Sequence, residues 1–306
     1  MLKRLLYIIL LLSFGSSTYA QLQPLLDQYH LNGLAINPAY AGSQEALSVG
    51  LYSRVQWVGF EGAPKTFTFS MHSPMRNKKV NLGLIVLADR YGSKTESGFL
   101  FNYAYRMDLG AGKLSFGLAA GLTNISFNIN AIRYADQGDV LLQDPGRRAL
   151  LPAFSIGGYY YSDKFYAGIS MPLLTNHQLN QHTGKYRISF NPAATNYNLV
   201  TGYLFRLSEA LEILPSLMFR INPAAAAQLD VQCNVIYKKK VSIGTIIRTN
   251  GNLSAIFQIQ ANRQLRVGYS YGYELSELSS YQHGSHEVVL MYNFRYIVDV
   301  VNPRYF

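Results

Sequence analysis

Residues 252–274 read NLSAIFQIQANRQLRVGYSYGYE, and apolar and polar side chains alternate along this stretch. Successive side chains of an extended chain point to opposite sides, so Phe257 and Gln258 would lie on different faces. Ile256 is the exception to the alternation. Two alternating runs with a short interval between them predict a pair of antiparallel strands. The apolar set is Ala255, Phe257, Ile259, Leu265, Val267, Tyr269, Tyr271 and Tyr273, and the polar set is Ser254, Gln258, Gln260, Gln264, Arg266, Ser270 and Glu274.

The same alternation recurs from Ala46 to the end of the chain and predicts about fourteen strands, an even number as in bacterial outer-membrane barrels. Each predicted strand is close to the ~9–11 tilted residues that cross a bilayer. We therefore expect an all-β fold, a transmembrane antiparallel β-barrel with a periplasmic N-terminal segment. The predicted strands span residues 46–58, 65–73, 80–90, 97–108, 113–125, 151–161, 164–172, 196–206, 210–220, 227–237, 240–249, 253–261, 264–274 and 285–296.

The composition agrees with a sheet that faces lipid. Only 14% of the residues are charged, whereas ordinary soluble domains carry roughly 25%. The mean hydropathy is +0.02, and no mature segment approaches the ~18 consecutive apolar residues of a spanning helix. The 24 Tyr and 16 Phe argue against intrinsic disorder. A secreted soluble β-sandwich or lipocalin-like barrel, with its apolar face turned inward, remains the alternative.

The first twenty residues have the features of a cleaved secretion signal. Lys3 and Arg4 precede an apolar stretch from Leu5 to Phe14, and Ala20 ends a site of the kind cleaved by signal peptidase. The single cysteine, Cys233, excludes both an internal disulfide and a lipoprotein anchored directly after cleavage. We divide the chain into a signal peptide (1–20), a periplasmic segment or plug (21–44), a barrel (45–296) and a C-terminal tail (297–306).

The net charge of +10 does not indicate a nucleic-acid partner. Removal of Lys3 and Arg4 with the leader would leave +8, and no run of five like charges occurs. A basic excess can indicate nucleic acid or anionic lipid, but exported proteins rarely meet nucleic acid. We expect the outer-membrane lipid to be one partner.

Three long polar gaps, at 126–150, 173–195 and 275–284, separate predicted strands. Barrels of this class have short turns at one end and long loops at the other, so we assign these gaps to the outer end. Eight tyrosines near predicted strand ends are expected to form an aromatic girdle at the lipid head groups. They are Tyr159, Tyr160, Tyr161, Tyr166, Tyr271, Tyr273, Tyr292 and Tyr296.

Several motifs resemble the PorP/SprF family of outer-membrane proteins of type IX secretion and gliding motility in Bacteroidota. The N-terminal motifs are QYHLN at 28–32, INPAYAGS at 36–43, RVQWVG at 54–59 and GAPKT at 62–66. The resemblance extends to GYYY at 158–161, FYAGISMP at 165–172 and SHEVVLMY at 285–292. Between residues 173 and 260 it rests mainly on barrel character.

The resemblance implies non-enzymatic work without a cofactor. It implies partners among the type IX secretion components, either a secreted adhesin with a C-terminal sorting domain or a periplasmic peptidoglycan-binding protein. The motif residues are the candidates for family-specific or partner-binding roles. They are Asn37, Pro38, Tyr40, Gly42, Arg54, Gln56, Trp57, Pro64, Thr66, His286 and Glu287.

The first and last strands of a closed barrel must meet, which suggests a specific contact. We expect Arg54 to face the lumen and to pair there with Glu287 of the closing strand. Trp57, three residues after Arg54 on the same predicted strand, would point to the opposite face at the membrane interface.

No constellation in the sequence favours catalysis or a metal site. Ser285, His286 and Glu287 are consecutive in a predicted strand, so they alternate faces and cannot form a hydrogen-bonded relay. No GxSxG elbow or phosphate-binding glycine loop is present. The pairs His177 with His182 and His283 with His286 lack a supporting carboxylate or thiolate.

A channel and an anchor remain as alternative functions. Arginines on the inward face would favour anions in a passive porin. Small inward residues would instead allow a plug or a partner segment to pack closely. These small residues are Gly117, Ala119, Gly121, Gly244, Gly268 and Gly272. Fourteen strands enclose more space than eight, whose side chains just fill the interior, so something must occupy or hydrate the lumen.

Overall fold

The computed structural model describes residues 26–128, 148–179, 186–192, 195–223 and 226–294. The expected signal peptide (1–20) and C-terminal tail (297–306) lie outside these residues, as does Tyr296. A one-turn helix, α1 (Gly33–Ile36), and a 3-10 turn (Pro38–Tyr40) precede the first strand, and a second 3-10 turn spans Glu277–Tyr281. Within the described residues, no helix has the length and apolar character needed to cross a membrane.

The strands agree closely with the predicted segments. The widest departures are in β4, β5 and β6, which extend two or three residues beyond their predicted limits at one end, and in β1, which ends three residues early. The bounds are β1 Leu47–Val55, β2 Lys65–Pro74, β3 Val80–Tyr91, β4 Lys94–Leu109, β5 Gly112–Phe127, β6 Arg148–Tyr161, β7 Phe165–Met171, β8 Asn176–Leu179, β9 Tyr186–Ser189, β10 Tyr197–Tyr203, β11 Phe205–Arg206, β12 Leu211–Ile221, β13 Gln228–Tyr237, β14 Val241–Arg248, β15 Asn252–Gln260, β16 Leu265–Glu274 and β17 Ser285–Phe294.

The sheet closes into a fourteen-stranded antiparallel barrel, as predicted. The first strand pairs with the last, and β10 pairs with both β7 and β12. Strands β10 and β11 are two pieces of one barrel strand that is interrupted at Leu204, since both pair with β12. Strands β8 and β9 form a separate hairpin. Closure pairs the backbone groups that an open sheet would leave unsatisfied in hydrocarbon.

The apolar side chains face outward and the polar side chains face the lumen. Along β15, Leu253, Phe257 and Ile259 are exposed, whereas Ser254 and Gln258 are buried. Ile256, the exception in the sequence, is buried among apolar lumen residues. This orientation contradicts the soluble alternative, whose apolar face would form the interior.

Three of the tyrosines expected in the aromatic girdle are placed differently. Tyr159, Tyr161 and Tyr166 are buried and point into the lumen, where Tyr159 stacks on Tyr161 at 5.5 Å between ring centroids. The girdle prediction was therefore wrong for these three. Tyr271 and Tyr273 are exposed on the outer face.

Trp57 also differs from its expected position because β1 ends at Val55. Trp57 lies in the connection to β2 with a positive φ of 45°. Its indole Nε1 donates to Glu274 Oε1 at 3.1 Å, an inward-facing carboxylate at the end of β16. The expected alternation between Arg54 and Trp57 thus fails, since it required one continuous strand.

The two ends of the barrel differ in their connections. The short-turn end carries the connections after β2, β4, β6, β11, β13 and β15 and the chain segment that enters β1. The long-loop end carries the connections after β1, β3, β5, β7, β12, β14 and β16. The strand ends that border the three long gaps predicted from the sequence all lie at the long-loop end.

The turn from β13 to β14 has an unusual backbone for its residues. Lys240 N donates to Tyr237 O at 3.0 Å, and the two central residues, Lys238 and Lys239, have φ of 50° and 55°. Two positive φ angles define a type I′ turn, which favours Asn-Gly because side chains with a Cβ are strained there.

We predict that Lys238→Asn with Lys239→Gly raises the free energy of unfolding by about 1 kcal/mol, because both residues then suit the turn. Urea-induced unfolding of the refolded barrel measures the change. Lys240→Gly is the matched control, because Lys240 has no positive φ, and it is expected to destabilise. Equal effects of the two changes would contradict the prediction.

Candidate functional site in the barrel lumen

Residues 26–46, here called the lumen segment, lie inside the barrel and are almost entirely buried. The segment joins β1 at the short-turn end, where Glu45 contacts Lys113 at the start of β5. It reaches the opposite half of the lumen at Asp27, which contacts Arg54 and Arg248 at the long-loop ends of β1 and β14. The segment therefore runs along most of the barrel interior.

A buried ionic cluster holds the upper part of the lumen segment. Asp27 Oδ2 lies 2.6 Å from Arg54 Nη1, and Asp27 Oδ1 lies 2.7 Å from Arg248 Nη1. Ser270 Oγ also donates to Asp27 Oδ2 at 3.0 Å. Burial acts to raise the pKa of the Asp27 carboxyl, but the two guanidinium groups outweigh it and hold the pKa below its ordinary value. Asp27 is therefore ionised at neutral pH and remains so in mild acid.

The closing strand contributes a second carboxylate to this cluster. Glu287 accepts hydrogen bonds from the backbone N–H of Asp27 at 2.8 Å and of Gln28 at 2.9 Å. Glu287 Oε2 also lies 3.2 Å from Arg54 Nη1, and the two residues are directly opposite in the β1–β17 register. The contact predicted between Arg54 and Glu287 is confirmed, and it joins barrel closure to the lumen segment.

The cluster continues along the wall of the barrel. Arg248 Nη2 donates to Leu26 O at 2.8 Å, and Arg248 Nε lies 3.3 Å from Asp230 Oδ2. Asp230 also pairs with Arg220 Nη2 at 3.1 Å. Positive and negative side chains therefore alternate across this side of the lumen.

A second ionic cluster lies at the short-turn end around Glu45. Glu45 Oε1 lies 2.7 Å from both Arg106 Nη1 and Lys113 Nζ. Arg106 also donates to Gly42 O at 3.1 Å and to the hydroxyl of Tyr161 at 2.8 Å. The lumen segment is thus fixed by ion pairs at both of its ends.

Between the two clusters, glycines of the barrel wall make room for the lumen segment. A Cβ added at Gly117 would lie 2.1 Å from Ala39 N, and one at Gly157 would lie 2.1 Å from Asn37 Oδ1. Asn37 Nδ2 donates to Gly158 O at 2.9 Å, while Asn37 Oδ1 accepts from Ala39 N at 2.9 Å. Segment and wall therefore approach each other at backbone distance, which larger side chains would prevent.

Neutral polar contacts complete the site. Tyr52 OH donates to Leu31 O at 2.9 Å, and Gly42 N donates to His72 Nδ1 at 3.1 Å. The two ring nitrogens of His30 lie 2.9 Å from the amide nitrogens of Gln232 and Gln258. Of these contacts, the hydrogen bonds Tyr52–Leu31 and Gly42–His72 give buried polar groups a partner inside the protein.

The structure brings part of the predicted set together. Asn37, Pro38, Tyr40 and Gly42 belong to the lumen segment, and Arg54, Thr66 and Glu287 are inward-facing wall residues. Gln56, Trp57 and Pro64 lie in the connection from β1 to β2. His286 faces outward, where its Nδ1 lies 2.7 Å from Tyr269 OH.

The predicted set omitted the residues that carry most of the charge. Asp27, Glu45, Arg106 and Arg248 each make ion pairs across the lumen. Arg106 and Arg248 are among the inward-facing arginines that the sequence pattern led us to expect, but we assigned such arginines to a passive porin and not to ion pairs. One feature of the sequence could have identified two of these residues: Asp27 and Glu45 are the acidic residues in the segment before β1.

The described residues contain no group of three His, Cys, Asp or Glu side chains arranged to hold a metal. Ser285, His286 and Glu287 have separate partners, namely Trp57 N, Tyr269 and Arg54. Cys233 is half-buried in β13. The His177–His182 pair lies outside the side chains that the structure describes.

Comparison with known proteins identifies both a family and a fold. The family model for the type IX secretion system membrane protein PorP/SprF matches residues 18–292. The CymD monoaromatic hydrocarbon channel is similar with a TM-score of 0.55 at 13% identity, covering 87% of this chain and 93% of that one. The Ralstonia pickettii toluene transporter TbuX is similar with a TM-score of 0.53 at 9% identity. The match covers 86% of this chain and 93% of that one. At these identities the structural likeness shows the fold alone. No curated protein matches the chain.

We predict that Arg54→Ala and Glu287→Ala destabilise the barrel non-additively, with a coupling energy of about 1 kcal/mol or more. The reason is that the two buried groups share one contact and the same partner, Asp27. A double-mutant cycle of urea unfolding measures the coupling. The pair Lys94 and Glu96, separated by 2.8 Å but more exposed, is the control and should couple more weakly. Strict additivity at Arg54 and Glu287 would show that the contact contributes nothing.

Proposed function

The chain belongs to the PorP/SprF family of type IX secretion system membrane proteins, and from this premise we propose that it is a non-enzymatic anchor in the outer membrane. Its own N-terminal segment closes the lumen, and its exposed ends hold partner proteins of the secretion machinery. It reaches the membrane through a cleaved N-terminal signal peptide. The short-turn end faces the periplasm and the long-loop end faces the exterior.

The lumen segment is the single observation that carries this proposal. It is held by ion pairs at Asp27 and at Glu45 and by close backbone packing between them. Removal of one partner from a buried ion pair costs about 3–5 kcal/mol, so spontaneous withdrawal of the segment is disfavoured. A resident segment of this kind suits an anchor, since an anchor has no need of an open path.

The alternative of a passive, anion-preferring porin is less well supported. That reading depends on uncompensated arginines along the inward face. Among the described residues, Arg54, Arg106 and Arg248 each lie against a carboxylate. The positive charge that would attract anions is therefore largely neutralised while the lumen segment is in place.

The two ends of the barrel suit different partners. A secreted adhesin with a C-terminal sorting domain would meet the long-loop end, whereas a periplasmic peptidoglycan-binding protein would meet the short-turn end. Exposed basic turns at 76–79 and 238–240 favour the second contact, because they would complement an acidic protein face. We therefore propose the short-turn end as the principal docking surface.

We predict that the purified protein is silent in planar lipid bilayers and that deletion of residues 26–44 creates a steady pore. The deletion removes the packing in the lumen and frees Arg54 and Arg248 from Asp27, so the pore should prefer chloride to potassium. Adding Arg54→Gln and Arg248→Gln to the deletion is the control, and it should reduce that preference. A large open conductance of the intact protein would favour the porin instead.

We also predict that Lys78→Glu with Lys238→Glu and Lys239→Glu abolishes co-purification of a periplasmic partner from native membranes. The three exposed charges would then repel an acidic face instead of attracting it. Quantitative mass spectrometry of affinity-purified complexes measures the loss. Lys65→Glu, at the other end of the barrel, is the control and should leave this partner bound. Unchanged recovery in the triple variant would rule out the basic turns as the docking surface.

A further inference from the structure

Two basic residues lie directly opposite each other on the outer face at the long-loop end. Lys65 of β2 pairs in register with Arg90 of β3. Their inward neighbours, Thr66 and Asp89, hydrogen-bond to each other at 2.6 Å in the lumen, so Lys65 and Arg90 must both point outward. Side chains at such positions have Cβ atoms about 5 Å apart, and like charges there repel each other.

The described structure offers these two cations little compensation. Neither Lys65 nor Arg90 makes an ion pair or a side-chain hydrogen bond with another described residue, whereas the lumen arginines discussed above all have carboxylate partners. Both line a pocket of about 460 Å³ beneath the connection from β1 to β2. The one carboxylate in its lining is the exposed Glu61, so the pocket keeps a positive charge.

The same outward row contains a further cation. Register places Arg90 opposite Thr95, Thr95 opposite Ser126, and Ser126 opposite Arg148. Arg148 is therefore three strands away from Arg90, or about 14 Å at the usual strand spacing. We call Lys65, Arg90 and Arg148 the basic row.

An apolar groove lies immediately below the basic row on the lipid-facing surface. It measures about 560 Å³ and is formed where small side chains, Ala88 and Ser97, lie between larger ones. Its apolar walls are Leu84, Val86, Phe99, Phe101, Leu122 and Leu150. A groove of this volume and apolar lining suits an acyl chain whose head group lies at the level of the basic row.

We propose that this surface binds a bisphosphorylated glycolipid of the lipid A type from the outer leaflet. One phosphate lies between Lys65 and Arg90, where it removes their mutual repulsion, and the second lies near Arg148. An acyl chain occupies the groove. Guanidinium and ammonium groups are the usual protein ligands of phosphate, and the groove distinguishes a lipid from a free anion. The inference rests on the proposed orientation, in which the long-loop end faces the exterior, but not on the proposed docking partner.

Native mass spectrometry of the full-length mature protein in detergent, titrated with bisphosphorylated lipid A, tests the proposal. Lys65→Gln with Arg90→Gln should weaken binding about tenfold or more, since two charged hydrogen bonds to phosphate are lost. Ala88→Phe should also weaken it by filling the groove without changing any charge. Lys164→Gln with Arg263→Gln removes two exposed cations from the short-turn end and is the matched control, which should bind like the parent protein.

The same experiment distinguishes the other outcomes. Without lipid, the Lys65→Gln, Arg90→Gln variant should unfold at the same or a higher urea concentration, because repulsion has been removed, and this separates lost binding from lost folding. If the control variant lost lipid A affinity to the same extent, the loss would reflect overall charge and not a specific site. That result would contradict the proposed site. If millimolar inorganic phosphate fully displaced lipid A and Ala88→Phe had no effect, the site would bind free anions. That result would contradict the proposal that its ligand is a lipid.

Discussion

Hydrocarbon cannot hydrogen-bond to a peptide group, and this constraint determines the rest of the molecule. It requires a sheet without edges, which the pairing of β1 with β17 completes. It also requires apolar side chains on the outside, so the polar half of every strand is turned into the lumen. A ring of fourteen strands is too wide for those side chains to fill. The lumen segment occupies that space.

The charges in the lumen follow from the same arrangement. Arg54, Arg106 and Arg248 are enclosed in the barrel, where an isolated charge would be costly. Carboxylates of the lumen segment and of the wall lie against each of them. Each end of the segment therefore neutralises a different part of the wall, while glycines such as Gly117 and Gly157 bring the intervening backbone close. Barrel closure and lumen occupation share one residue, Glu287, which contacts both β1 and the segment.

The period-2 pattern was enough to predict the strands and their number, because alternation is a local property of the sequence. The contact between Arg54 and Glu287 could be predicted because closure requires the first and last strands to pair. It could not place Tyr159, Tyr161 and Tyr166. An aromatic ring suits both the lipid head groups and a packed lumen, and Tyr159 packs 5.4 Å from Tyr40, a residue of the lumen segment distant in sequence. The position of Trp57 depended on a strand end that a positive φ fixes. Likewise, no spacing rule connects Asp27 with Arg248, so the ionic clusters became evident only in three dimensions.

The presence of the N-terminal segment in the lumen is the central claim, and disulfide trapping in intact membranes tests it most directly. A Cβ at Gly268 would lie 2.1 Å from Gln28 Oε1, so Gln28→Cys with Gly268→Cys, in a chain carrying Cys233→Ser, should cross-link spontaneously and change its mobility on non-reducing gels. Gln28→Cys with Gly98→Cys, which lies on β4, five strands away from β16, should not. Free thiols at residues 28 and 268 that react with a membrane-impermeant maleimide would contradict the account.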